Sequence, residues 1–203
     1  MPRIVDKEQK KADILNVAMQ VFARKGVVKT KMIDIAEAAG IGKGTIYEYF
    51  KSKEEIFTEA YNLIFSSMES SLLESIRSID DPVEKLDRLV ELSLQKIIVE
   101  NAEFIGVMMD FWAEGIRNKD HQFLDILALH DIYSKYRKLI AGILTDGIEQ
   151  GVFRNVDIHS LSAIMIAAMD GLLLQWIMDR DLFDMEQVAR TYLDTFLNGI
   201  KKV

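Results

Sequence analysis

Ala36, Gly40 and Ile46 stand at the spacing of a helix-turn-helix. Such a unit needs a small residue in its first helix, so that the second can approach, and an aliphatic residue on the second helix to fill the angle between them. It also needs Gly in the turn, where the backbone takes a left-handed conformation. The second helix here, from about Lys43 to Phe50, is short, and its N-terminal part can sit in the DNA major groove. The same spacing fits a plain αα-corner of a helical bundle, and spacing alone leaves both readings open.

Charge is distributed in a way that bears on the choice. Residues 1–55 hold 11 Lys and Arg against 8 Asp and Glu, whereas residues 56–203 hold 14 against 24. A basic quarter on an acidic body suggests that the small part meets a polyanion and the large part does not.

Helical elements must position these groups. Ile14, Leu15, Ala18, Val21 and Phe22 form one face of a first helix, with Gly26 where a C′ residue belongs. Thr30 is expected to cap the second helix, which carries Ile35, Ala36 and Ala39 and breaks at Gly40. Ser52-Lys53-Glu54-Glu55 is a capping box that opens a fourth helix running toward Ile76. Asp81-Pro82-Val83-Glu84 opens another, predicted to reach about Glu100. Further helices are predicted over about 102–117, 121–150 (closed by Gly151), 157–180 (capped by Asp157) and 184–199 (capped by Asp184, with Gln187 three residues on). With two prolines, no β-alternation and no repeat, the 203 residues predict an all-α fold of about nine helices. The expected division is a helix-turn-helix domain at 1–52 and a helical domain at 53–203, with no flexible linker between them, so that movement of one part can reach the other mechanically.

Composition excludes several classes. The chain has no cysteine, which removes disulfides, thiolate metal sites and cysteine nucleophiles. His121, His130 and His159 are far apart, His121 and Asp125 are a weak metal pair, and Gly42-Lys43-Gly44 is too short to cradle a phosphate. No enzyme, cofactor or metal site is expected. The N-terminus lacks a secretory apolar region. The most apolar stretch, Ala163–Met178, is interrupted by Asp170 and Gln175 and reads as shorter than the roughly 20 residues that span a bilayer. The expectation is a cytoplasmic protein with no membrane partner.

The run Gly42-Lys43-Gly44-Thr45-Ile46-Tyr47-Glu48-Tyr49-Phe50-Lys51-Ser52-Lys53-Glu54-Glu55, with Thr30 to Gly40 before it, resembles the signature of the TetR family of bacterial transcriptional repressors. The resemblance covers about residues 10–56. Beyond them only the helix count and Asp170-Gly171-Leu172 look like the family. It implies that Lys43, Gly44, Thr45, Tyr47 and Glu48 lie near bases or the adjoining backbone. Lys43 can donate to guanine O6 and N7, and Thr45 can touch a thymine methyl. Gly44 lets the main chain approach a phosphate. Glu48 either reaches a cytosine amino group or stays solvated. Tyr47 and Tyr49 offer hydroxyls to phosphate, Thr30 and Lys31 are placed to meet the opposite backbone, and Lys53 can address a phosphate together with the N–H groups of its helix.

The resemblance further implies a homodimer that reads palindromic operator DNA with recognition helices about 34–36 Å apart. Ala163 to Met169 is apolar around the whole circumference, which predicts a helix buried all round. Its outer face is expected to meet Val188, Tyr192 and Phe196 and the same pair of helices in a second subunit, with Gly171 allowing close approach. A small-molecule effector pocket is implied in the large domain. Its candidate residues are Phe65, Met68, Met108, Met109, Phe111, Trp112, His130, Tyr133, Met165, Met169 and Trp176, most of which also read as plain core. Asp110, Glu114 and Asp170 hint at a cation, while a fatty acyl or aromatic compound is equally compatible. The leading expectation is a repressor released by a small hydrophobic effector. A TetR-like DNA-binding protein without an effector and a helical ligand carrier are the alternatives.

Overall fold

The computed structural model describes residues 7–97, 102–118 and 129–202. Among them nine α-helices occur in chain order: α1 Lys7–Lys25, α2 Met32–Ala38, α3 Lys43–Tyr49, α4 Lys53–Ile76, α5 Pro82–Glu91, α6 Ala102–Asn118, α7 Leu129–Glu149, α8 Ile158–Met178 and α9 Met185–Ile200. No strand is present among the described residues; a single antiparallel bridge joins Phe153 and Lys201.

The helices gather into two compact units. The first holds α1, α2, α3, α4 as far as Ser67, and α6 from Glu103; the second holds the rest of α4, α5, α7, α8 and α9. The division between these two units falls inside α4, after Ser67.

In the first unit α1 buries Ile14, Leu15, Ala18, Val21 and Phe22, the face read from the sequence. Ile35, Ile46, Phe50, Ile56 and Phe57 complete this core. An aromatic series then runs through it. Phe22 meets Phe57 edge-on at 5.9 Å, Phe57 lies 6.4 Å from Tyr61, and Tyr61 lies 4.4 Å from Phe65. Phe104 of α6 closes on Tyr61 and Phe65 at 6.1 and 5.9 Å. The spacing 57, 61, 65 is one turn of helix each, which is why α4 can present all three rings on one face. Each such buried ring contributes about 1.5–3 kcal/mol by leaving water, and each ring pair about 0.5–1.5 kcal/mol more.

In the second unit α5 buries Leu86, Leu89 and Val90, α7 buries Ile140, Ile143 and Leu144, and α9 buries Ala189, Leu193, Leu197 and Ile200. Local capping chemistry sets the starts. The carboxylate of Asp81 accepts from Val83 N at 2.8 Å, Asp157 accepts from His159 N and Ser160 N, and Asp184 accepts from Gln187 N at 3.1 Å. Hydrogen bonding by Ser160 holds the Asp157 carboxyl below the usual range. The end of α9 is tied back to the chain after α7: Arg154 N donates to Ile200 O, Lys202 N to Val152 O, and Arg154 Nε to Gly199 O.

Three expectations change, and the bounds of two predicted helices lie outside the described residues. Lys31, not Thr30, is the N-cap of α2. The helix opened by Pro82 is α-helical only to Glu91 and continues as a π-helix over Leu92–Ile97; its predicted end near Glu100 lies outside the described residues. So does the start of the helix predicted at His121. Finally, α8 begins directly after its Asp157 cap, as predicted, and its full 21 residues are long and apolar enough to cross a membrane by length and composition, where Ala163–Met178 alone reads as too short. It is not buried all round within the chain. Only Ser162, Met165 and Trp176 are buried, and Ile164 and Met178 are 57% and 78% exposed.

Candidate nucleic-acid interface

The turn between α2 and α3 is built by Gly40, whose φ of +64° is the left-handed value that a side chain disfavours. It lets Ile41 N donate back to Ala36 O at 3.0 Å and redirects the chain to Gly42, the N-cap of α3. Ala36 is fully buried, so α3 lies close to α2, and Ile46 and Phe50 fix it from the inner side at 0% and 1% exposure. Asp34 secures α2 from two directions: its carboxylate accepts from Lys25 Nζ at 2.9 Å and from Lys31 N at 2.8 Å. The Lys25 hydrogen bond, with the Lys31 one, holds the Asp34 carboxyl below its ordinary range. On α4, Lys11 of α1 pairs with Glu59 at 2.6 Å and lies over the Phe50 ring. That hydrogen bond holds the Lys11 ammonium above its usual range.

With its inner face anchored, α3 turns the other face to solvent. Lys43, Gly44, Tyr47 and Glu48 are exposed, and Thr45 and Tyr49 are half-buried. A side chain added at Gly44 meets nothing within 4 Å, so the backbone there is open to a ligand. Lys31 is exposed at the start of α2. Lys29, which was not among the candidates, is exposed, and so is Lys51.

Two candidates sit differently from expectation. Thr30 is buried, and its hydroxyl donates to Gly26 O at 2.8 Å, closing the loop after α1. Its hydroxyl is thus engaged within the fold. The ammonium of Lys53 donates to Val27 O at 2.8 Å and to Val28 O at 2.7 Å. It is therefore directed into the loop before α2. The capping box that opens α4 forms with one change: Ser52 Oγ accepts from Glu55 N at 3.2 Å, while the Glu55 carboxylate accepts from Lys51 N, one residue before the cap.

The family model for bacterial regulatory proteins of the tetR family matches residues 14–60, and that for the BetI-type transcriptional repressor C-terminal domain matches residues 82–198. The chain belongs to the TetR family. It is a DNA-binding transcriptional regulator, and its relatives are regulators, not enzymes. A transcriptional regulator from Saccharomonospora viridis, solved in complex with choline, superposes with a TM-score of 0.81 at 26% identity, over 97% of this chain and 100% of that one. The fatty acid metabolism regulator protein of Bacillus subtilis is 23% identical over 96% of this chain and 97% of its own length. The transcriptional repressor KstR2 of Rhodococcus jostii is 25% identical over 96% of this chain and 92% of its own.

The effector candidates of this TetR chain divide between the two units. Phe65, Met108 and Met109 are half-buried in the first. In the second, Met68, Met165 and Trp176 are buried, Tyr133 and Met169 half-buried, and His130 exposed. The side chains of Phe111, Trp112 and Glu114 lie outside the described residues, as does His121. One pair is brought together: Tyr133 Oη donates to Asp170 Oδ2 at 2.9 Å. Burial pushes the Asp170 carboxyl up, and burial together with the Asp170 charge pushes the Tyr133 phenol up. Asp110 is exposed on α6. Among the described residues no cluster of three metal-ligating side chains occurs.

The exposed side of α8 and α9 forms an open groove of about 710 Å³ whose walls include Ala167, Ala168, Gly171, Leu172, Tyr192 and Phe196. Tyr192 crosses beneath it to donate to Met165 O at 3.4 Å, and burial pushes its phenol up to about 12. A side chain at Gly171 meets nothing within 4 Å, so the space expected for a close helix is open within one chain.

Proposed function

We propose that this TetR-family chain is a repressor that binds palindromic operator DNA as a homodimer and is released by a small-molecule effector in the cytoplasm. The observation that carries the reading is the contrast on α3: Ile46 and Phe50 are sealed inside, while Lys43, Gly44, Tyr47 and Glu48 face outward. A short helix locked on one side and polar on the other suits the major groove. Lys43 and Thr45 are assigned to base edges, Gly44, Tyr47, Tyr49 and Lys31 to phosphate, and Glu48 to solvent or a cytosine amino group.

Homodimerisation is supported by the apolar outer face of α8 with α9. An exposed patch containing Ile164, Leu174 and Met178 is costly for a lone chain and calls for a partner surface. The effector acts through its different affinities for the bound and released states, and α4, which belongs to both units, supports a mechanical route. The effector is a small apolar molecule bound in the second unit among Met68, Tyr133, Met165, Met169 and Trp176, with His130 as a further candidate. A quaternary ammonium compound is the second reading, favoured by the choline bound to the S. viridis regulator and by the Asp170 carboxylate beside Tyr133.

Selection of DNA from a random pool tests the main reading: enrichment of an inverted repeat bound by two chains supports it, and a pool that stays random after selection refutes it. Thermal-shift measurements with choline and with a medium-chain fatty acid then separate the two effector classes.

A further inference from the structure

Lys53 is the first residue of α4, and its side chain crosses 25 and 26 positions of sequence to reach Val28 O and Val27 O. Both carbonyls belong to the loop Gly26–Lys31, and among the described residues no backbone N–H reaches either one. Val27 is buried, so its carbonyl needs a partner in place of water. The ammonium supplies it through charge-assisted hydrogen bonds, the stronger kind. The same loop holds itself at the other end: Thr30 N and Thr30 Oγ1 both donate to Gly26 O. Between these two anchors the chain presents Val28, which is 51% exposed, Lys29 and Lys31 to solvent.

We infer that Lys53 is a positioning residue for DNA binding, holding the Gly26–Lys31 loop so that Lys29 and Lys31 face the phosphate backbone. This rests on the DNA-binding reading given above and adds Lys29 to the contacts. It also ties the first turn of α4 to two DNA-facing segments at once. Residues 50–52 join that turn to α3 directly, and Lys53 joins it to the loop. A displacement of the start of α4 therefore withdraws the loop lysines together with the recognition helix.

The test is a titration of random-sequence duplex DNA at several salt concentrations, where each phosphate contact contributes about 0.9 to the slope of log affinity against log salt. It compares the wild type, Lys53→Met, the pair Lys29→Ala with Lys31→Ala, and all three together. Amide exchange at Val28–Lys31 is measured in the free proteins alongside. Lys53→Met is expected to reduce the slope by about two such steps, as the loop pair does, with no further loss in the triple variant. It should also speed loop exchange, and Lys53→Arg should restore both, since a guanidinium also donates to two acceptors. A reduction by a single step that adds to the loop pair, with loop exchange unchanged, would make Lys53 itself the phosphate ligand and overturn the inference. An unchanged slope would overturn it as well. If the wild type fails to bind DNA, the proposed function falls; the exchange measurement still decides whether Lys53 holds the loop.

Discussion

The ring of Phe153 occupies the place that a side chain on Gly147 would need. A Cβ built on Gly147 overlaps Cδ2 and Cε2 of Phe153 and comes within 3.0 Å of Cγ. Phe153 is 2% exposed, and its N–H donates to Gly147 O at 2.9 Å, so the backbone holds the residue against α7 and the buried ring has no open solvent to swing into. Gly147→Ala is expected to destabilise the protein by about 1–3 kcal/mol, the usual cost of overpacking. Gly142, five residues earlier on the same helix, meets nothing within 4 Å. Gly142→Ala is expected to stabilise by up to about 1 kcal/mol, the helix preference alone. Opposite shifts in urea midpoint would confirm the pair; equal shifts would not.

Asp34 makes stability depend on acid. Its folded pKa is depressed by Lys25 and the Lys31 N–H, so its contribution is present above the unfolded value of about 3.8. It is lost as pH falls through the lower folded value. Asp34→Asn is therefore expected to lower the melting temperature at neutral pH and to make little difference in strong acid. Thermal melts of both proteins across that range check the sign.

Ala167 lies exposed in the groove of α8 and α9. Ala167→Glu is expected to leave the helical circular dichroism intact and to shift the protein from dimer to monomer in light scattering, because a carboxylate in a closed apolar interface has no partner. DNA affinity should fall with the loss of the second reading head.

Lys43→Ala and Tyr47→Ala separate reading from holding. If Lys43 meets a guanine, its loss costs about 1–3 kcal/mol on the selected operator and relaxes preference at one position. Tyr47→Ala, which removes a phosphate contact, is expected to weaken binding evenly across sequences. Binding to the operator and to single-base variants, measured by fluorescence anisotropy, distinguishes the two patterns.

Much of this was legible in the chain because it is local. Asp81, Asp157 and Asp184 cap their own helices within three residues, and Gly26, Gly40 and Gly151 take the positive φ that their turns require. Ile46, read as the residue that fills the angle between the two helices, is buried as expected, and Phe50, one turn on, shares its face. The intramolecular contacts of Lys53 and Thr30 were not legible, because their partners are backbone carbonyls of the loop after α1, and a carbonyl leaves no mark on sequence. The ring of Phe104 is likewise invisible as a partner of Tyr61, since 43 positions separate them. The apolar circumference of Ala163–Met169 was read correctly as a pattern, but its outer face is open in a single chain. Periodicity can say that a face is apolar; it does not say which molecule covers it.

The aromatic series from Phe22 to Phe104 also governs how such a protein can be cut and joined. Transplanting the DNA-reading head onto another sensor by a junction at Ser52 would leave Phe22 without Phe57 and open the middle of its core. A viable chimaera must carry α4 through Phe65 and supply a ring where Phe104 now stands. The head is thus not a cassette. Any exchange of heads between such regulators trades a stretch of the sensing body with it.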